Sequence, residues 1–342
     1  MSSSSPARRV LLAVDAPSLL HRNHHARAYT DLRDRGGRPA WALHGMLRQI
    51  LEALDRFAPD ALVFGLDDRG SSVREERYPA YKAGRAPKDA LLVEQLERCK
   101  AFLDALGLHA VQPDGLEADD VSASAATWAG RHGWDCVIVT SDRDTFAHIS
   151  DHTKVLRLIS GGIHGSPLLD PARLRTMYGV PPEHYLDFAA LRGDASDNLP
   201  GVRGIGEKSA ALLLAEVGPM EAVWADVEHC EGASVVAALD SWAEETGNRR
   251  TGRTLVGHLR LPGAREQFEF NRSMMAGHTD VDLGLRPDEP GSPGLLPLEP
   301  VRVRTSVGHL GVPATTELAL RVLTEPPASR DGRQEHQAHR QG

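Results

Sequence analysis

Acidic residues recur in this sequence where a short apolar run ends or a helix is about to begin. Three groups follow strand-like apolar runs at residues 10–14, 61–66 and 136–140, and two more precede helical stretches. Ligands of an open parallel sheet bind outside the carboxyl ends of its strands, so these carboxylates should converge on one crevice. The five groups are Asp15; Asp67 and Asp68; Glu117, Asp119 and Asp120; Asp142 and Asp144; and Asp194 and Asp197.

Carboxylates crowded into one crevice indicate bound cations. A pair about 4 Å apart repels by roughly 4 kcal/mol at an effective dielectric near 20, and cations relieve that repulsion without protonating the acids. An all-oxygen site is what Mg²⁺ or Mn²⁺ prefers, and two such ions side by side are the usual machinery of phosphodiester hydrolysis. Any single aspartate is equally explained as a turn former or helix N-cap. The set as a whole favours metal-dependent phosphoryl chemistry.

A basic stretch follows the second acidic group. Residues 69–88 include Tyr78 and Tyr81, and their six basic residues, against two acids, are Arg69, Arg74, Arg77, Lys82, Arg85 and Lys88. A charged, solvated helix face is the ordinary explanation for such a run. Its place directly after a metal-ligand candidate favours a surface that contacts the backbone and stacks on the bases of a single nucleic acid strand.

Glycines precede a predicted helix start in the segment GVRGIGEKSA, residues 201–210. Gly201, Gly204 and Gly206 would let backbone amides and the helix dipole approach a phosphate closely, with Lys208 as a nearby point charge. A tight turn between two helices is the alternative explanation. Such contacts reach phosphates and not bases, so we expect no base specificity.

The elements that must position these residues follow an α/β pattern. The three apolar runs are typical of buried parallel strands, and the segments between them are long enough for helical crossovers. Apolar residues recur at helical spacing over residues 41–57 and 91–106, and a helix rich in Ala and Val is predicted over 121–129. Beyond about residue 171, short helical stretches separated by Gly and Pro predict a second, helical domain.

Composition limits the classes of function. The chain has 342 residues, of which 41% are apolar, enough for one large or two modest cores, and its net charge of −8 argues against a polybasic nucleic-acid coat. The three cysteines, Cys99, Cys136 and Cys230, form no CxxC pair, so the sequence indicates neither a disulfide framework nor a thiolate zinc site. No apolar run approaches the roughly 18 residues that span a bilayer. We therefore expect a cytoplasmic protein with no membrane partner.

Five segments carry a resemblance to a known family. They are VDAPSLLHR (14–22), FGLDDRGSSVREERYPAYKAGR (64–85), GLEADD (115–120), TSDRD (140–144) and GDASDNLPGVRGIGEKSA (193–210). In order and spacing they resemble the motifs of the 5'-3' exonuclease and flap endonuclease family, which includes the N-terminal domain of bacterial DNA polymerase I. The resemblance covers about residues 8–285. It implies an α/β, PIN-like parallel-sheet nuclease domain followed by a helical helix-hairpin-helix (H3TH) domain.

The resemblance assigns a metal role to nine carboxylates. It implies two or more Mg²⁺ or Mn²⁺ ions held, directly or through water, by Asp15, Asp67, Glu117, Asp119, Asp120, Asp142, Asp144, Asp194 and Asp197. In the same family the stretch after the second motif is a helical arch, expected here at about residues 69–95. Tyr81, Lys82 and Arg85 match its YKxxR element, which steers the scissile phosphate towards the metals.

The resemblance also implies how DNA is held. Arg22 matches a basic residue of the first motif, and Arg74 belongs to the predicted DNA-contacting stretch. The helix-hairpin-helix of the family grips the duplex backbone and commonly holds a monovalent cation such as K⁺, which assigns DNA contacts to Gly201, Gly204, Gly206 and Lys208. The implied substrates are DNA with a 5' flap, a nick or a free 5' end, or an RNA–DNA hybrid. A nucleoid-associated bacterial monomer that works with a replication or repair polymerase is expected.

The predicted organisation has five parts. A flexible N-terminus (1–9) precedes the nuclease domain (10–175), the helical domain (176–290), a divergent C-terminal segment (291–324) and a disordered tail (325–342). Because no polymerase domain follows, a free-standing member is expected.

Two departures from the family pattern concern the first motif. His24 stands where a stacking aromatic is expected, which affects how the 5' nucleotide is handled, and Ala16-Pro17 replaces the usual small-residue turn, which stiffens it. His21, His24 and His25 suggest a metal cluster only weakly, because a carboxylate site needs no histidine.

Two other functions are compatible with these motifs. One is a DNA junction-binding protein that has lost turnover, against which the complete carboxylate set argues. The other is a PIN-type ribonuclease, for which the arch and the hairpin would be superfluous.

Overall fold

The computed structural model describes residues 8–70, 72–289 and 291–325. In this part of the chain the main sheet has the strand order β3-β2-β1-β4-β5-β6, with β6 antiparallel to β5 and the other neighbours parallel. The strands are β1 (Val10–Asp15), β2 (Ala61–Gly65), β3 (His109–Val111), β4 (Asp135–Thr140), β5 (Thr153–Arg157) and β6 (Leu168–Leu169). The three predicted strands are therefore β1, β2 and β4, which are the three central ones.

Helices cover both faces of this sheet. Along β1, Leu12 and Val14 face one hydrophobic core, which is completed by the helices Ala16–Arg27, Trp41–Phe57 and Ala90–Leu106. Leu11 and Ala13 face the other core, which is completed by the helix Ala118–Arg131. Because both faces of the sheet are buried, the strands appear in the sequence as continuous apolar runs. The helices are α1 (Ala16–Arg27), α2 (Trp41–Phe57), α3 (Val73–Arg77), α4 (Ala90–Leu106), α5 (Ala118–Arg131), α6 (Gly162–Gly165) and α7 (Pro171–Tyr178).

The path of the chain through the sheet creates a cleft. From β1 the chain crosses over one face to β2 and β3, and then returns over the opposite face, by way of α5, to β4 on the other side of β1. The loops after β1 and β4 therefore diverge, which leaves a crevice at the carboxyl edge of the sheet.

The helical region begins after α7. It contains α8 (Tyr185–Arg192), α9 (Glu207–Glu216), α10 (Met220–His229), α11 (Ala233–Thr246), α12 (Gly252–Leu259) and α13 (Ala264–Met275), and a small antiparallel pair formed by β7 (Gly193–Asp194) and β8 (Leu199–Pro200). Its core is continuous with that of the nuclease domain, since the ring of Tyr185 packs both on Phe188 and on Phe146, which follows β4.

The segment after residue 290 returns to the nuclease domain. Residues 291–299 contain no helix or strand, and α14 (Pro300–Gly308) and α15 (Pro313–Thr324) then pack against α4 and α2. The amide of Leu62 donates to the carbonyl of Gly294 at 2.8 Å, which holds this segment beside β2. The predicted flexible N-terminus and disordered tail lie outside the described residues, except for residues 8, 9 and 325. None of the described helices is both long and apolar enough to cross a membrane.

Candidate active site

The cleft at the carboxyl edge of the sheet gathers side chains from all five acidic groups. Asp15 is the last residue of β1, and Asp67 and Asp142 each follow their strands by two residues. The acidic lining of the cleft is Asp15, Asp67, Glu117, Asp119, Asp142 and Asp194, and the basic side chains on its wall are His21, Lys82, Arg85, Lys88 and Arg143. Six of the nine predicted metal-site carboxylates thus face one space.

Asp15 is anchored at the floor of the cleft. Its Oδ1 accepts from the amide of Ser18 at 3.0 Å, and its Oδ2 accepts from Oγ1 of Thr140 at 2.7 Å. The side chain caps α1, whose first turn holds Pro17, where no amide donor is needed. The expected stiffened turn is thus the first turn of a helix. Burial raises the pKa of Asp15 to about 7, and the charges of neighbouring acids add to this effect.

The start of α5 carries three acids with different surroundings. Glu117 faces the cleft, with 13% of its side chain exposed, and Asp119 lies beside it at 24%. The N-terminal end of the helix dipole favours these negative charges. Burial, together with Asp120 and Glu117, raises the pKa of Asp119 well above its usual value, although Arg74 opposes this effect.

Two of the predicted site residues, Asp120 and Arg74, are paired with each other inside the protein. The carboxylate of Asp120 is fully buried, and the two terminal nitrogens of Arg74 donate to its two oxygens, each at 2.8 Å. The side chain of Arg74, which was predicted to contact DNA, is only 6% exposed. The pairing has a physical cause, because opposite charges removed from water must pair.

The YKxxR element lies on the carboxylates. Nζ of Lys82 donates to Oε1 of Glu117 at 2.5 Å, and Nη2 of Arg85 donates to Oδ1 of Asp197 at 2.5 Å. The Tyr81 hydroxyl donates to Oε2 of Glu117 at 3.1 Å and the residue is 5% exposed, so its ring is not available for stacking on a base. Lys82 adopts a left-handed backbone conformation, with φ of 57°, where the chain turns into the cleft.

The expected helical arch is short. Within residues 69–95, α3 spans five residues and α4 begins at residue 90, while residues 78–89 form turns and irregular backbone. Pro79 and Pro87 lack the amide hydrogen that a continuous helix requires, which explains the interruption.

The fourth and fifth acidic groups meet across the domain boundary. Asp142 accepts from the amide of Asp144 at 3.0 Å, and Asp194 accepts from the amide of Ser196 at 2.7 Å. Burial, followed by Asp142, Asp194 and Asp197, raises the pKa of Asp144 well above its usual value. The nuclease domain and the helical domain therefore both contribute carboxylates to this region.

These residues suit divalent cations chemically. Among the described residues, no three His, Cys, Asp or Glu side chains already form a ready-made coordination group. The Oδ1 atoms of Asp119 and Asp144 are nevertheless buried without a hydrogen-bond partner, and the six acidic side chains that face the cleft offer carboxylate oxygens as metal ligands. Unpaired buried carboxylate oxygens are costly, and a Mg²⁺-like ion relieves that cost.

The predicted hairpin lies outside the cleft lining, at the start of α9. Gly204 has φ of 80°, and a Cβ at this position would lie 2.3 Å from the ring of His258, whereas Gly206 has no atom near its Cβ position. Lys208 is exposed in the first turn of α9. Gly201 has a different role, because its missing Cβ makes room for the carbonyl oxygen of Arg192, which would be 2.2 Å away.

The histidines of the first motif are separated by the helix they share. His21 lines the cleft, and burial and the nearby Lys88 lower its pKa to about 4. His24 is buried on the opposite side against Trp41, with 5.6 Å between ring centroids. Arg22 is half-buried on the same helix. His24 is therefore a core residue, and His21 is the imidazole of this motif that borders the cleft.

Sequence reasoning missed two residues near the site. Thr140 supports Asp15 from the end of β4, and the charge of Arg192 opposes the burial and the neighbouring acids that raise the pKa of Asp144. Arg192 stands directly before the GDASDN segment, so a basic residue adjacent to a metal motif was the available signal. Nothing in the sequence marks Thr140 beyond its place at the end of a strand.

Two family models cover most of the chain. The 5'-3' exonuclease N-terminal resolvase-like domain matches residues 10–179, and the 5'-3' exonuclease C-terminal SAM fold matches residues 180–290. The chain belongs to the 5'-3' exonuclease family. This confirms the family resemblance and the two-part fold that the motifs implied.

Relatives in this family include bacterial DNA polymerases I. The chain is 39% identical to the thermostable DNA polymerase I of Thermus filiformis over 240 residues, and 35% identical to DNA polymerase I of Mycobacterium bovis over 247 residues. These alignments cover 70% and 72% of the chain, but only 28% and 27% of the polymerases. The chain thus matches about a quarter of the length of these relatives.

Solved structures of nucleases share the fold. T5 5'-exonuclease with bound zinc matches with a TM-score of 0.55 at 18% identity, covering 92% of this chain and 98% of that one. The catalytic core of Rad2 in complex with DNA substrate matches with a TM-score of 0.53 at 17% identity, covering 92% of each chain. At this level of identity the likeness concerns the fold alone.

Proposed function

We propose that this chain is a divalent-metal-dependent, structure-specific 5' nuclease that hydrolyses DNA phosphodiesters near 5' ends or flaps. The observation that carries the proposal is the convergence of six carboxylates, from separate motifs of both domains, with Lys82 and Arg85 in a single cleft. Membership of the 5'-3' exonuclease family supports the reaction class, and the zinc-bound and DNA-bound relatives of the same fold support metal and DNA as ligands.

The ions expected in the cleft are Mg²⁺ or Mn²⁺. Asp15, Asp67, Glu117, Asp119 and Asp142 would hold them together with Asp194, and when bound they would supply an activated water and neutralise charge on the scissile phosphate. We further propose that the hairpin binds K⁺ and that nicked DNA and RNA–DNA hybrids are also substrates. We propose that the protein is a cytoplasmic monomer that works with a replication or repair polymerase. The proposed domain limits are 10–175 and 176–290.

The residues of the chain itself would position the substrate. Lys82 and Arg85 line the cleft and donate to Glu117 and to Asp197, respectively. An incoming phosphate can replace these carboxylates as the partner of the two basic side chains. Asp15 is held in one orientation by Ser18 and Thr140, which fixes the floor against which the phosphate would rest. The Gly204 turn and Lys208 offer amides and a charge to duplex backbone outside the cleft lining.

A labelled 5' flap tests this function directly. We expect cleavage near the junction with Mg²⁺ and none with EDTA, with a 5' phosphate on the product downstream of the cut. Asp119→Asn and Asp142→Asn should lower the rate by at least about 10²-fold, since each removes a metal-holding charge. Asp151→Asn is the matched control, because Asp151 is exposed and does not line the cleft.

The same assay separates the alternatives. Tight flap binding without turnover in every metal would indicate a junction-binding protein. Preferential cutting of single-stranded RNA of the same sequence would indicate a PIN-type ribonuclease. Equal rates in both cleft variants and in the control would contradict the assignment of the site.

A further inference from the structure

Every nitrogen of the Arg74 guanidinium donates hydrogen bonds inside the protein. Its Nε donates to the carbonyl of Met274 at 3.0 Å, and its Nη2 donates to Asp120 at 2.8 Å and to the carbonyl of Ala276 at 3.3 Å. Its Nη1 donates to Asp120 at 2.8 Å and to Glu117 at 3.2 Å. One side chain therefore bonds to the start of α5 and to the end of the helical domain.

Both carboxylate oxygens of Asp120 also accept hydrogen bonds inside the protein. Besides the two bonds from Arg74, its Oδ2 accepts from the amide of Glu117 at 3.0 Å, and its Oδ1 accepts from the amide of His278 at 2.8 Å. Each carboxylate oxygen has about two lone-pair sites, so four donors fill the acceptor capacity of this side chain. Asp120 consequently has no oxygen left for a cation. Asp119 differs, because its buried Oδ1 accepts no hydrogen bond and lies 3.8 Å from Nη1 of Arg74.

The contact between the segments extends one helical turn further. The hydroxyl of Ser124 donates to the carbonyl of His278 at 3.0 Å and accepts from the amide of Val281 at 3.0 Å. Gly277 lies so close that a Cβ there would be 2.9 Å from Cβ of Ala123. Residues 274–281 are thus fastened along the helix whose first turn carries Glu117 and Asp119.

We propose that Arg74 and Asp120 are a positioning pair, which fixes the helical domain to the first turn of α5 and so sets the place of Glu117 and Asp119, and that Asp120 is not a metal ligand. The catalytic consequence rests on the proposed nuclease function. The pair joins three segments that are far apart in sequence: α3, the start of α5, and the residues after α13. Movement of any one of them displaces the carboxylates that face the cleft.

Metal counting tests the second half of the proposal without any cleavage. Mn²⁺ titration followed by electron paramagnetic resonance gives the number of bound ions and their affinities. We expect Asp120→Asn to bind the same number of ions as wild type, with an affinity within about threefold of that of Arg74→Lys, which breaks the same pair but keeps every carboxylate. Asp119→Asn should instead lose an ion. Loss of an ion in Asp120→Asn, with its circular dichroism unchanged, would overturn the assignment.

Hydrogen exchange and kinetics test the first half. We expect faster amide exchange in residues 274–281 and at the start of α5 in Arg74→Lys, since lysine keeps the charge but cannot reach a carboxylate and two carbonyls together. Flap cleavage at saturating DNA and metal should fall at least about tenfold, while the dissociation constant for DNA changes less than about threefold.

A double variant distinguishes loss of the positioning role from simple unfolding. Arg74→Met with Asp120→Leu replaces the buried ion pair by apolar groups, a change that buried pairs often tolerate. We expect this protein to fold, to bind Mn²⁺ and to cut slowly. A wild-type cleavage rate with wild-type exchange protection would show that the pair only adds stability. If wild type itself cut no DNA, the exchange and metal results would still decide the positioning role.

Discussion

Nζ of Lys82 lies 2.5 Å from Oε1 of Glu117, so an ammonium group occupies the carboxylate cleft. Burial alone would lower the pKa of Lys82, but Glu117 and Asp197 outweigh it and raise the pKa. Lys82 is therefore charged at neutral pH and balances the acids in the absence of metal. The same ammonium opposes the binding of a second cation nearby.

Lys82→Ala should separate metal binding from catalysis. Removal of the ammonium is expected to tighten Mn²⁺ binding by about tenfold, because a like charge a few ångströms away no longer repels the ion. The single-turnover rate on a 5' flap should nevertheless fall by at least about 10²-fold, since the lysine also positions the phosphate. Calorimetric titration and rapid-quench kinetics measure the two effects.

Lys154→Ala is the matched control for this experiment. Lys154 is exposed on β5 and does not line the cleft, so its loss should change neither quantity. Weaker Mn²⁺ binding in Lys82→Ala than in this control would contradict the proposed balance of charges.

Asp15 predicts how stability depends on pH when metal is removed. Its pKa in the folded protein, about 7, exceeds the ordinary value of 3.8, so the folded state holds this proton more tightly than the unfolded state. The contribution of Asp15 to the free energy of unfolding therefore falls as pH rises from about 4 to about 7, and stays low above that range. Asp15→Asn should be the more stable protein at pH 8 in EDTA, by on the order of 3 kcal/mol.

Urea unfolding at pH 4 and pH 8 measures this difference between Asp15→Asn and wild type. At pH 4 the gap should be small, because Asp15 is then largely protonated in the folded state. Addition of Mg²⁺ at pH 8 should favour wild type, since an ion stabilises the charged carboxylate. A gap that is the same at both pH values would refute the burial argument.

The sequence was sufficient for features that depend on local pattern. The central strands β1, β2 and β4 are buried on both faces, so their apolar runs were unambiguous, whereas β3 and β6 are short edge strands that leave little trace. The convergence of Asp15, Asp67 and Asp142 followed from the rule that carboxyl ends of parallel strands share an edge.

Long-range pairing set the limit of sequence reasoning. Arg74 lies in a basic run and Asp120 in an acidic one, so pattern alone placed both on functional surfaces. Their mutual burial depends on residues 274–278, which are about 150 to 200 positions away in the chain. The hydrogen bond from the Tyr81 hydroxyl to Glu117 likewise joins residues 36 positions apart and leaves no mark in the local pattern.

His24→Phe should stabilise the protein and leave the reaction unchanged. His24 is buried against Trp41, burial lowers its pKa, and its Nδ1 has no hydrogen-bond partner among the described residues. Phenylalanine removes that unsatisfied polar atom, so the free energy of unfolding should rise by about 1 kcal/mol. Urea unfolding and flap cleavage check both statements, and a tenfold loss of cleavage in a folded variant would return His24 to nucleotide handling.

The hairpin offers a test with two nearby glycines that differ in backbone conformation and in surroundings. Gly204 has φ of 80° and the ring of His258 2.3 Å from its Cβ position, whereas Gly206 has an extended, negative φ and no neighbour within 4 Å of its Cβ position. Gly204→Ala should therefore distort the turn and weaken binding to flaps of every sequence by about tenfold, while Gly206→Ala binds as wild type.

Fluorescence anisotropy in EDTA over a salt series measures the DNA affinity of these variants, and Lys208→Ala should lower the salt dependence of that affinity by about one unit of slope. Gly201→Ala is expected to reduce stability instead, because its Cβ would meet the carbonyl of Arg192. Equal affinities for the Gly204 and Gly206 variants, both folded by circular dichroism, would mean that this turn does not hold the DNA backbone.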